Sequence, residues 1–278
     1  MNWSSGIART GGLKIHYFRN EGKREGTPPI VLAHGLTDNG RCWNRLASVI
    51  SGDYDLIAVE ARGHGLSDKP REGYSVSDHA QDLADCIRTL DLKAPALIGH
   101  SMGADNVAYL AATAPDLVSC LILEDPPWRP LGRFDPPREE VERRAEEWRE
   151  QILKRHRCSL EELAGQARKE HPSWDESELE PWAEGKLQVY PEVLEYILKR
   201  ADWSDFVPGI RCPTLLISGD PDSGAIVTPA IAEKICSLNR NIRVVRIEGA
   251  GHSIRRERFG EYADTVKDFL SYEYQEQK

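Results

Sequence analysis

The chain has 278 residues, of which 36 are Lys or Arg and 45 are Asp or Glu, giving a formal net charge of −9 at pH 7. This acidic balance argues against a nucleic-acid partner, because phosphate contacts need clustered basic side chains. No apolar run approaches the roughly 20 residues of a membrane span, so no membrane association is expected. The first residues lack the apolar segment of a signal peptide, and the six cysteines show no paired spacing. A cytoplasmic protein with reduced thiols is therefore expected.

Short apolar runs alternate with helical patterns along the chain, which predicts a mostly parallel sheet flanked by helices. The segment 13–18 alternates with period two and is expected to open the sheet, paired antiparallel with a later part of the chain. A last helix is predicted from Phe259 to about Tyr272. Continuous apolar runs are expected to form buried strands that each end in a loop: 29–35, 55–63, 95–101, 119–125, 213–220 and 242–249.

The interval between the strand that ends near Glu124 and the strand that begins near Thr214 is much longer than a crossover helix needs. We predict a core domain of residues 1–125 and 206–278, with residues 126–205 inserted between two core strands as a helical cap. The cap contains a charged helical pattern whose apolar side chains share one face and are expected to pack the cap onto itself: Val141, Ala145, Trp148 and Ile152.

The stretch Gly99-His100-Ser101-Met102-Gly103 matches the pattern G-x-S-x-G, after a predicted strand and before a predicted helix. This is the context of a nucleophile elbow, a tight turn that exposes a serine hydroxyl and needs small flanking residues. The alternative interpretation is a chance match in a chain with 22 glycines. The flanking strand and helix favour Ser101 as a catalytic nucleophile.

A serine nucleophile needs a general base, and histidine is the usual one. His252 lies in "EGAGHSIRRE", between the last predicted strand and the last helix. A loop at that position can fold back over the edge of the sheet that carries Ser101. His100 adjoins the serine and is expected to point away, while His64 is interpreted as structural. His252 is therefore the predicted base.

The base needs an acid to orient it, and carboxylates end two of the predicted strands. Asp220 and Asp222 follow one strand, and we predict Asp222 as the acid and Asp220 as a turn residue. Glu124 and Asp125 end the preceding strand and are the alternative candidates. The predicted order along the chain is serine, aspartate, histidine, which is the order in the α/β-hydrolase fold.

A tetrahedral intermediate needs two backbone N–H donors near its oxyanion. One is expected from Met102, the residue after the nucleophile. The other is expected from the loop "LAHGLTDN", where His34 and Gly35 leave a strand and Leu36 is placed to donate. An ordinary turn is the alternative interpretation of the His-Gly pair.

With these elements the sequence resembles the α/β-hydrolase superfamily, in its cap-bearing esterase and carbon–carbon hydrolase branch. The matching motifs run through nearly the whole chain in the family's order: "HGLTDN", "ARGHGLSD", "GHSMG", "LLISGDPD" and "GAGHS". The resemblance implies an α/β-hydrolase fold, a mostly parallel central sheet flanked by helices with an inserted helical cap. It also implies a triad of Ser101, Asp222 and His252, with Leu36 and Met102 lining the oxyanion hole. A serine at position 101 argues against the dehalogenase and epoxide-hydrolase branches, which use a carboxylate nucleophile.

The predicted function is a serine hydrolase that cleaves a carboxylic ester or lactone of a small, partly apolar substrate through an acyl-enzyme, without cofactor or metal. The alternatives are an amide or thioester hydrolase and a carbon–carbon hydrolase. The latter usually has an aromatic residue after the histidine, where this chain has Ser253. A ligand receptor on the same scaffold is a more remote alternative. Trp128 and Trp43 are expected to line the substrate pocket. No pattern in the sequence assigns an oligomeric state.

Overall fold

The structure is a computed structural model that describes residues 2–22, 26–129 and 137–275, with side chains up to residue 273. The strands are β1 (Trp3–Thr10), β2 (Leu13–Asn20), β3 (Pro29–Ala33), β4 (Asp55–Val59), β5 (Ala96–His100), β6 (Leu121–Glu124), β7 (Thr214–Ser218) and β8 (Ile242–Arg246). Over the described ranges they form one eight-stranded sheet in the order β1-β2-β4-β3-β5-β6-β7-β8. β1 pairs antiparallel with β2, and β2 pairs antiparallel with β4. The six strands β3 to β8 are parallel to one another. The prediction of a mostly parallel sheet is confirmed.

Helices cover both faces of this sheet. They are α1 (Asn44–Ile50), α2 (Val76–Thr89), α3 (Met102–Thr113), α4 (Arg138–Arg155), α5 (Leu160–Glu170), α6 (Glu176–Gln188), α7 (Glu195–Leu198), α8 (Trp203–Phe206), α9 (Pro229–Leu238), α10 (Ile254–Glu257) and α11 (Phe259–Gln275). None of the described helices is long and apolar enough to cross a membrane.

The first strand, β1, is missing from the sequence prediction. Its side chains are mostly exposed or half-buried, and Ile7 is 58% exposed, so no buried apolar run marks it. It pairs along its whole length with β2. β2 also pairs antiparallel with β4, which lies further along the chain, as expected. β1 is therefore an edge strand whose structure is set by its partner.

Successive residues of the parallel strands point to opposite faces of the sheet, as strand geometry requires. Val31 and Leu97 belong to one apolar cluster, together with side chains of α2, α3 and α9. Ile30 and Ile98 belong to a second cluster, with side chains of α1 and α11. β5 lies between β3 and β6, and His100 at its end pairs in register with Glu124. The residues after these two strands therefore emerge side by side at the same edge of the sheet.

Helices α4 to α8 lie between β6 and β7, and residues 137–206 are called the helical insertion below. Residues 130–136 of the predicted cap lie outside the described residues. On α4, Ala145 and Ile152 are buried, but Trp148 is 45% exposed, although it was expected to pack the cap onto itself. Trp203 and Phe206 of α8 belong to the first core cluster. The predicted boundary at residue 205 therefore falls inside a helix that packs against α3 of the core.

Candidate active site

Ser101 occupies the turn between β5 and α3. Its backbone has φ 53° and ψ −120°, and such a positive φ is rare for a residue other than glycine and typical of strained functional turns. The N–H of Ser101 donates to the carbonyl of Glu124 at 2.9 Å, which fixes the turn against the end of β6. Ser101 is half-buried. The turn therefore has the strand–turn–helix form of a nucleophile elbow.

The two glycines of the motif are needed for packing. A Cβ at Gly99 would overlap backbone atoms of Gly103 and Ala104, and a Cβ at Gly103 would overlap the carbonyl oxygen of Ala33. Main-chain atoms of a central strand cannot move aside as a flexible side chain can. The small residues therefore let α3 begin directly against β3 and β5.

Replacing Gly103 with alanine is expected to lower the free energy of unfolding by about 1–3 kcal/mol, the usual cost of overpacking. Urea unfolding measures the change. The matched control is Gly165→Ala in α5, where a Cβ would meet nothing within 4 Å. There alanine is expected to raise the free energy of unfolding by about 0.5–1 kcal/mol, because it restricts the unfolded chain and favours the helix. Equal stability of the two variants would contradict the packing role of Gly103.

The imidazole of His252 pairs with a carboxylate from the end of β6. His252 Nδ1 lies 2.6 Å from Oδ2 of Asp125, a residue that is completely buried. The same carboxylate accepts the backbone N–H groups of Ile226 and Val227 at 2.8 and 2.9 Å. Because an ionised carboxylate only accepts hydrogen bonds, Nδ1 carries the proton. In the neutral imidazole Nε2 is then free to accept a proton.

The structure places Asp125 against His252, and not Asp222, the partner that the sequence predicts. Asp222 lies exposed in the short 3-10 turn Pro221–Ser223 and forms no hydrogen bond or ion pair with His252 within the described residues. Asp220 shapes this loop, because it accepts the N–H of Gly249 at 2.6 Å and a bond from Arg246 at 2.7 Å. Asp220 is thus a turn residue, as predicted. Asp125, one of the two alternative candidates, is the carboxylate that contacts His252.

His100 holds the backbone of the His252 loop. Its Nε2 donates to the carbonyl of His252 at 3.0 Å, and the two rings lie 4.8 Å apart. The ring of His100 therefore lies beside His252, a contact that the sequence did not predict. Burial lowers the pKa of His100 well below its usual value, so the ring stays neutral. No hydrogen bond joins the hydroxyl of Ser101 to His252 among the described residues, and in free enzymes such bonds are often long and tighten on substrate binding.

The N–H groups of Leu36 and Met102, predicted as oxyanion donors, have no acceptor among the described residues. Met102 begins α3, and the first N–H groups of a helix have no partner within it. Residues 35–38, here called the β3 loop, come close to the serine, because a Cβ at Gly35 would lie 3.4 Å from the Cβ of Ser101. Two N–H groups without an internal acceptor thus lie on the segments next to Ser101.

Two buried histidines hold the β3 loop from the core. Nε2 of His34 accepts the N–H of Ala61 at 3.0 Å, so its Nδ1 carries the proton and donates to the carbonyl of Gly35 at 2.9 Å. Nε2 of His64 lies 2.6 Å from the carbonyl oxygen of Leu36. Burial lowers the pKa of both histidines, to about 3 for His64. Burial therefore favours the neutral form of both rings near pH 7.

A buried ion network joins the β3 loop to the other two loops of the site. Arg255 bonds Glu124 at 3.1 Å and Asp38 at 3.1 Å, so it links the end of β6 to the β3 loop. Arg256 bonds Asp38 at 3.1 Å and Glu178 of α6 at 3.2 Å. Buried charges are tolerated only when they are paired in this way. The network balances three acids and three bases, each at most 6% exposed: Asp38, Glu124, Glu178, Lys186, Arg255 and Arg256.

No group of three or more His, Cys, Asp or Glu side chains in the described part of the chain could hold a metal ion.

This network is missing from the sequence prediction, although the sequence carries one signal for it. Arg255 and Arg256 follow His252 by three and four residues, in a loop that leads from a strand end into a helix. Two adjacent arginines at the catalytic edge of a sheet need acidic partners if they are buried. Their burial is visible only in the folded chain.

The two tryptophans predicted to line the substrate pocket are both packed inside the protein. Trp128 is 1% exposed, donates from Nε1 to Asp105 at 2.6 Å and stacks on Trp203 with ring centroids 5.8 Å apart. Trp43 is fully buried, with the guanidinium of Arg255 4.7 Å from its ring centroid. Neither indole offers surface to a ligand. Both predictions are corrected: Trp128 packs against Trp203, and Trp43 packs against Arg255.

Comparison with known proteins agrees with this architecture. The family model for the alpha/beta hydrolase fold matches residues 28–255, so the chain belongs to the α/β-hydrolase family. It is 32% identical over 245 residues to 2-(acetamidomethylene)succinate hydrolase of Mesorhizobium japonicum, covering 84% of each chain. It is 30% identical to (E)-2-((N-methylformamido)methylene)succinate hydrolase of Acinetobacter baylyi, over 79% of this chain and 81% of that protein. The crystal structure of an E-2-(acetamidomethylene)succinate hydrolase superposes with a TM-score of 0.80 at 22% identity, covering 97% of this chain and 100% of the other.

Proposed function

We propose that this hydrolase cleaves a carboxylic ester or lactone of a small substrate through an acyl-enzyme, with Ser101, His252 and Asp125 as its triad. The observation that carries the proposal is the 2.6 Å contact between His252 Nδ1 and Asp125, next to a serine with positive φ. A serine, a histidine and a buried carboxylate on adjacent loops are the groups that nucleophilic acyl transfer needs.

In the first half of the reaction the hydroxyl oxygen of Ser101 attacks the substrate carbonyl carbon, and Nε2 of His252 takes the hydroxyl proton. The carbonyl oxygen becomes an oxyanion, which accepts hydrogen bonds from the N–H groups of Leu36 and Met102. The tetrahedral intermediate then collapses. His252 returns its proton to the leaving alkoxide, and the acyl group stays on Ser101.

In the second half, water replaces the alcohol. His252 takes a proton from water, whose oxygen attacks the acyl carbon, and returns that proton to the Ser101 oxygen as the acid leaves. Asp125 stays ionised throughout. It holds the Nδ1–H tautomer and stabilises the imidazolium. The two backbone N–H groups that bond Asp125 fix the direction of its carboxylate.

Cleavage of an amide in a small N-acyl carboxylate is the second candidate. Two relatives, matched at 32% and 30% identity over 84% and 79% of this chain, carry acetamido and N-methylformamido groups in their substrate names, each on a succinate skeleton. The same triad serves amide cleavage, with the proton of His252 delivered to the leaving nitrogen. These names favour an amide over a thioester or a carbon–carbon bond among the remaining alternatives.

A substrate panel tests the proposal and separates the two candidates. Aryl esters with acyl chains from acetate to decanoate are compared with 2-(acetamidomethylene)succinate by steady-state and stopped-flow kinetics. We expect turnover of the short and medium esters and a burst of phenol equal to the enzyme concentration, which reports acyl-enzyme accumulation. A higher kcat/KM for the N-acyl succinate would assign the second candidate. Absence of turnover on every member of the panel would refute both.

A further inference from the structure

Each carbonyl of the β3 loop before Asp38 lies against a nitrogen of a buried side chain. His34 donates to the carbonyl of Gly35, and His64 lies against the carbonyl of Leu36; both histidines belong to the core. The third carbonyl, that of Thr37, accepts from Nζ of Lys186 at 2.7 Å. Lys186 lies on α6, so one of these three contacts comes from the helical insertion. The direction of the Leu36 N–H depends on this peptide chain being held on both sides.

Several polar contacts hold the side chain of Lys186 in this position. Its Nζ donates to both the carbonyl and the hydroxyl oxygen of Thr37, each at 2.7 Å, and lies 3.6 Å from Asp38 Oδ1. The residue is 6% exposed. A Cβ at Gly185, the preceding residue, would lie 3.0 Å from the Cα of Asp38, so α6 touches the loop with its backbone. The ammonium group of Lys186 and the backbone of α6 therefore both contact Thr37 and Asp38.

The groups around Lys186 explain why a lysine is tolerated there. Asp38 faces it from the β3 loop, Arg256 from the His252 loop and Arg155 from α4, while the ring of Trp182 lies 4.8 Å from Nζ. Burial lowers the pKa of Lys186 to about 8, with Asp38 acting in the opposite direction. The side chain is therefore a charged donor at pH 7, and its three protons match two oxygens of Thr37 and the carboxylate of Asp38.

We propose that Lys186 is a positioning residue through which the helical insertion fixes the oxyanion donor Leu36. This inference rests on the proposed function, because it assumes that the N–H of Leu36 binds the oxyanion. Lys186 does not touch the substrate. It holds the peptide between Thr37 and Asp38, and so fixes the chain that follows Leu36 and keeps the Leu36 N–H directed to the place where negative charge develops.

A residue of this kind affects the transition state more than the ground state. The oxyanion exists only after attack, so a misdirected Leu36 N–H weakens transition-state binding and leaves substrate binding nearly unchanged. We therefore expect Lys186→Met to lower kcat by about tenfold or more, less than the 10²- to 10³-fold loss typical when an oxyanion donor is removed outright. KM should change little.

The experiment measures kcat and KM for the best substrate of the panel with Lys186→Met, Lys186→Arg, Thr37→Val and the double variant Lys186→Met/Thr37→Val. Arginine keeps the charge and the donors and should restore part of kcat. The double variant should lose less than the product of the two single losses, because Lys186→Met already removes the contact with the Thr37 hydroxyl that Thr37→Val deletes. Lys169→Met is the matched control: this lysine is exposed on α5 and should leave kcat unchanged.

Urea unfolding is measured on every variant, so that a loss of folded protein is not mistaken for a loss of kcat. An unchanged kcat in folded Lys186→Met would overturn the proposal, as would strictly multiplicative losses in the double variant. A rise in KM with unchanged kcat would also overturn it, by assigning Lys186 to substrate binding. Failure of the proposed function looks different, because the wild-type protein would then show no turnover that depends on Ser101.

Discussion

Replacing Ser101 with alanine is expected to lower kcat on the ester panel by about 10⁴-fold or more, the scale of losing the nucleophile of a serine triad. The hydroxyl is the group that becomes acylated, and no nearby side chain in the described site offers a second one on the elbow. The oxyanion donors and the substrate pocket remain, so some rate above the uncatalysed reaction should persist. Steady-state kinetics with enough enzyme to detect this residual rate make the measurement.

The fold of the Ser101→Ala variant should be unaffected. No side-chain hydrogen bond of Ser101 is formed within the described residues, and alanine carries the same Cβ at the same positive φ. The urea midpoint should therefore match that of the wild type. Ser237→Ala, on the exposed face of α9, is the matched control and should leave kcat unchanged. Ester turnover close to the wild-type rate in a folded Ser101→Ala variant would contradict the acyl-enzyme mechanism.

Replacing Asp125 with asparagine is expected to lower kcat by about 10⁴-fold, the effect of the same change in a serine-protease triad. An amide can donate a hydrogen bond to Nδ1, which would shift the imidazole proton to Nε2 and leave no base facing Ser101. The size of the side chain is conserved. KM should change little, because the tautomer of His252 matters for proton transfer and not for substrate binding.

Asp222→Asn provides the discriminating comparison. It makes the same chemical change on an exposed carboxylate that has no bond to His252, and it should retain wild-type kcat. Asp220→Asn should also keep most of kcat, with some loss of stability, because Asp220 anchors the loop to Gly249 and Arg246. A severe loss in Asp222→Asn together with an active Asp125→Asn would reverse the assignment.

Most of the sheet can be predicted from sequence because its central strands are buried on both faces. Such strands appear as continuous apolar runs, and β3 to β7 all fall inside the predicted segments. The edge strand β8 also lies in a predicted segment, although its side chains are only partly buried. β1 has no such run, since one partner strand and solvent surround it. The nucleophile elbow can also be predicted from the sequence, because close packing at this turn requires its two glycines.

The acid of the site could not be chosen from the sequence for a physical reason. β6 and β7 both end in carboxylates, and either choice gives the same order of serine, aspartate and histidine along the chain. The choice depends on the positive φ of Asp125, 40°, and on two N–H groups that lie about a hundred residues further on. Long-range contacts of this kind leave no local pattern. The same holds for Lys186, whose partner Thr37 is 149 positions away.

The segment after β7 is a suitable place for engineering. It contributes to the site through the main chain of Ile226 and Val227, while Asp222 and Ser223 are exposed. Side chains at 222 and 223 can therefore be exchanged, or an attachment handle for a surface introduced, without changing a reacting group. The path of the loop must be kept, because its two amides set the direction of the Asp125 carboxylate.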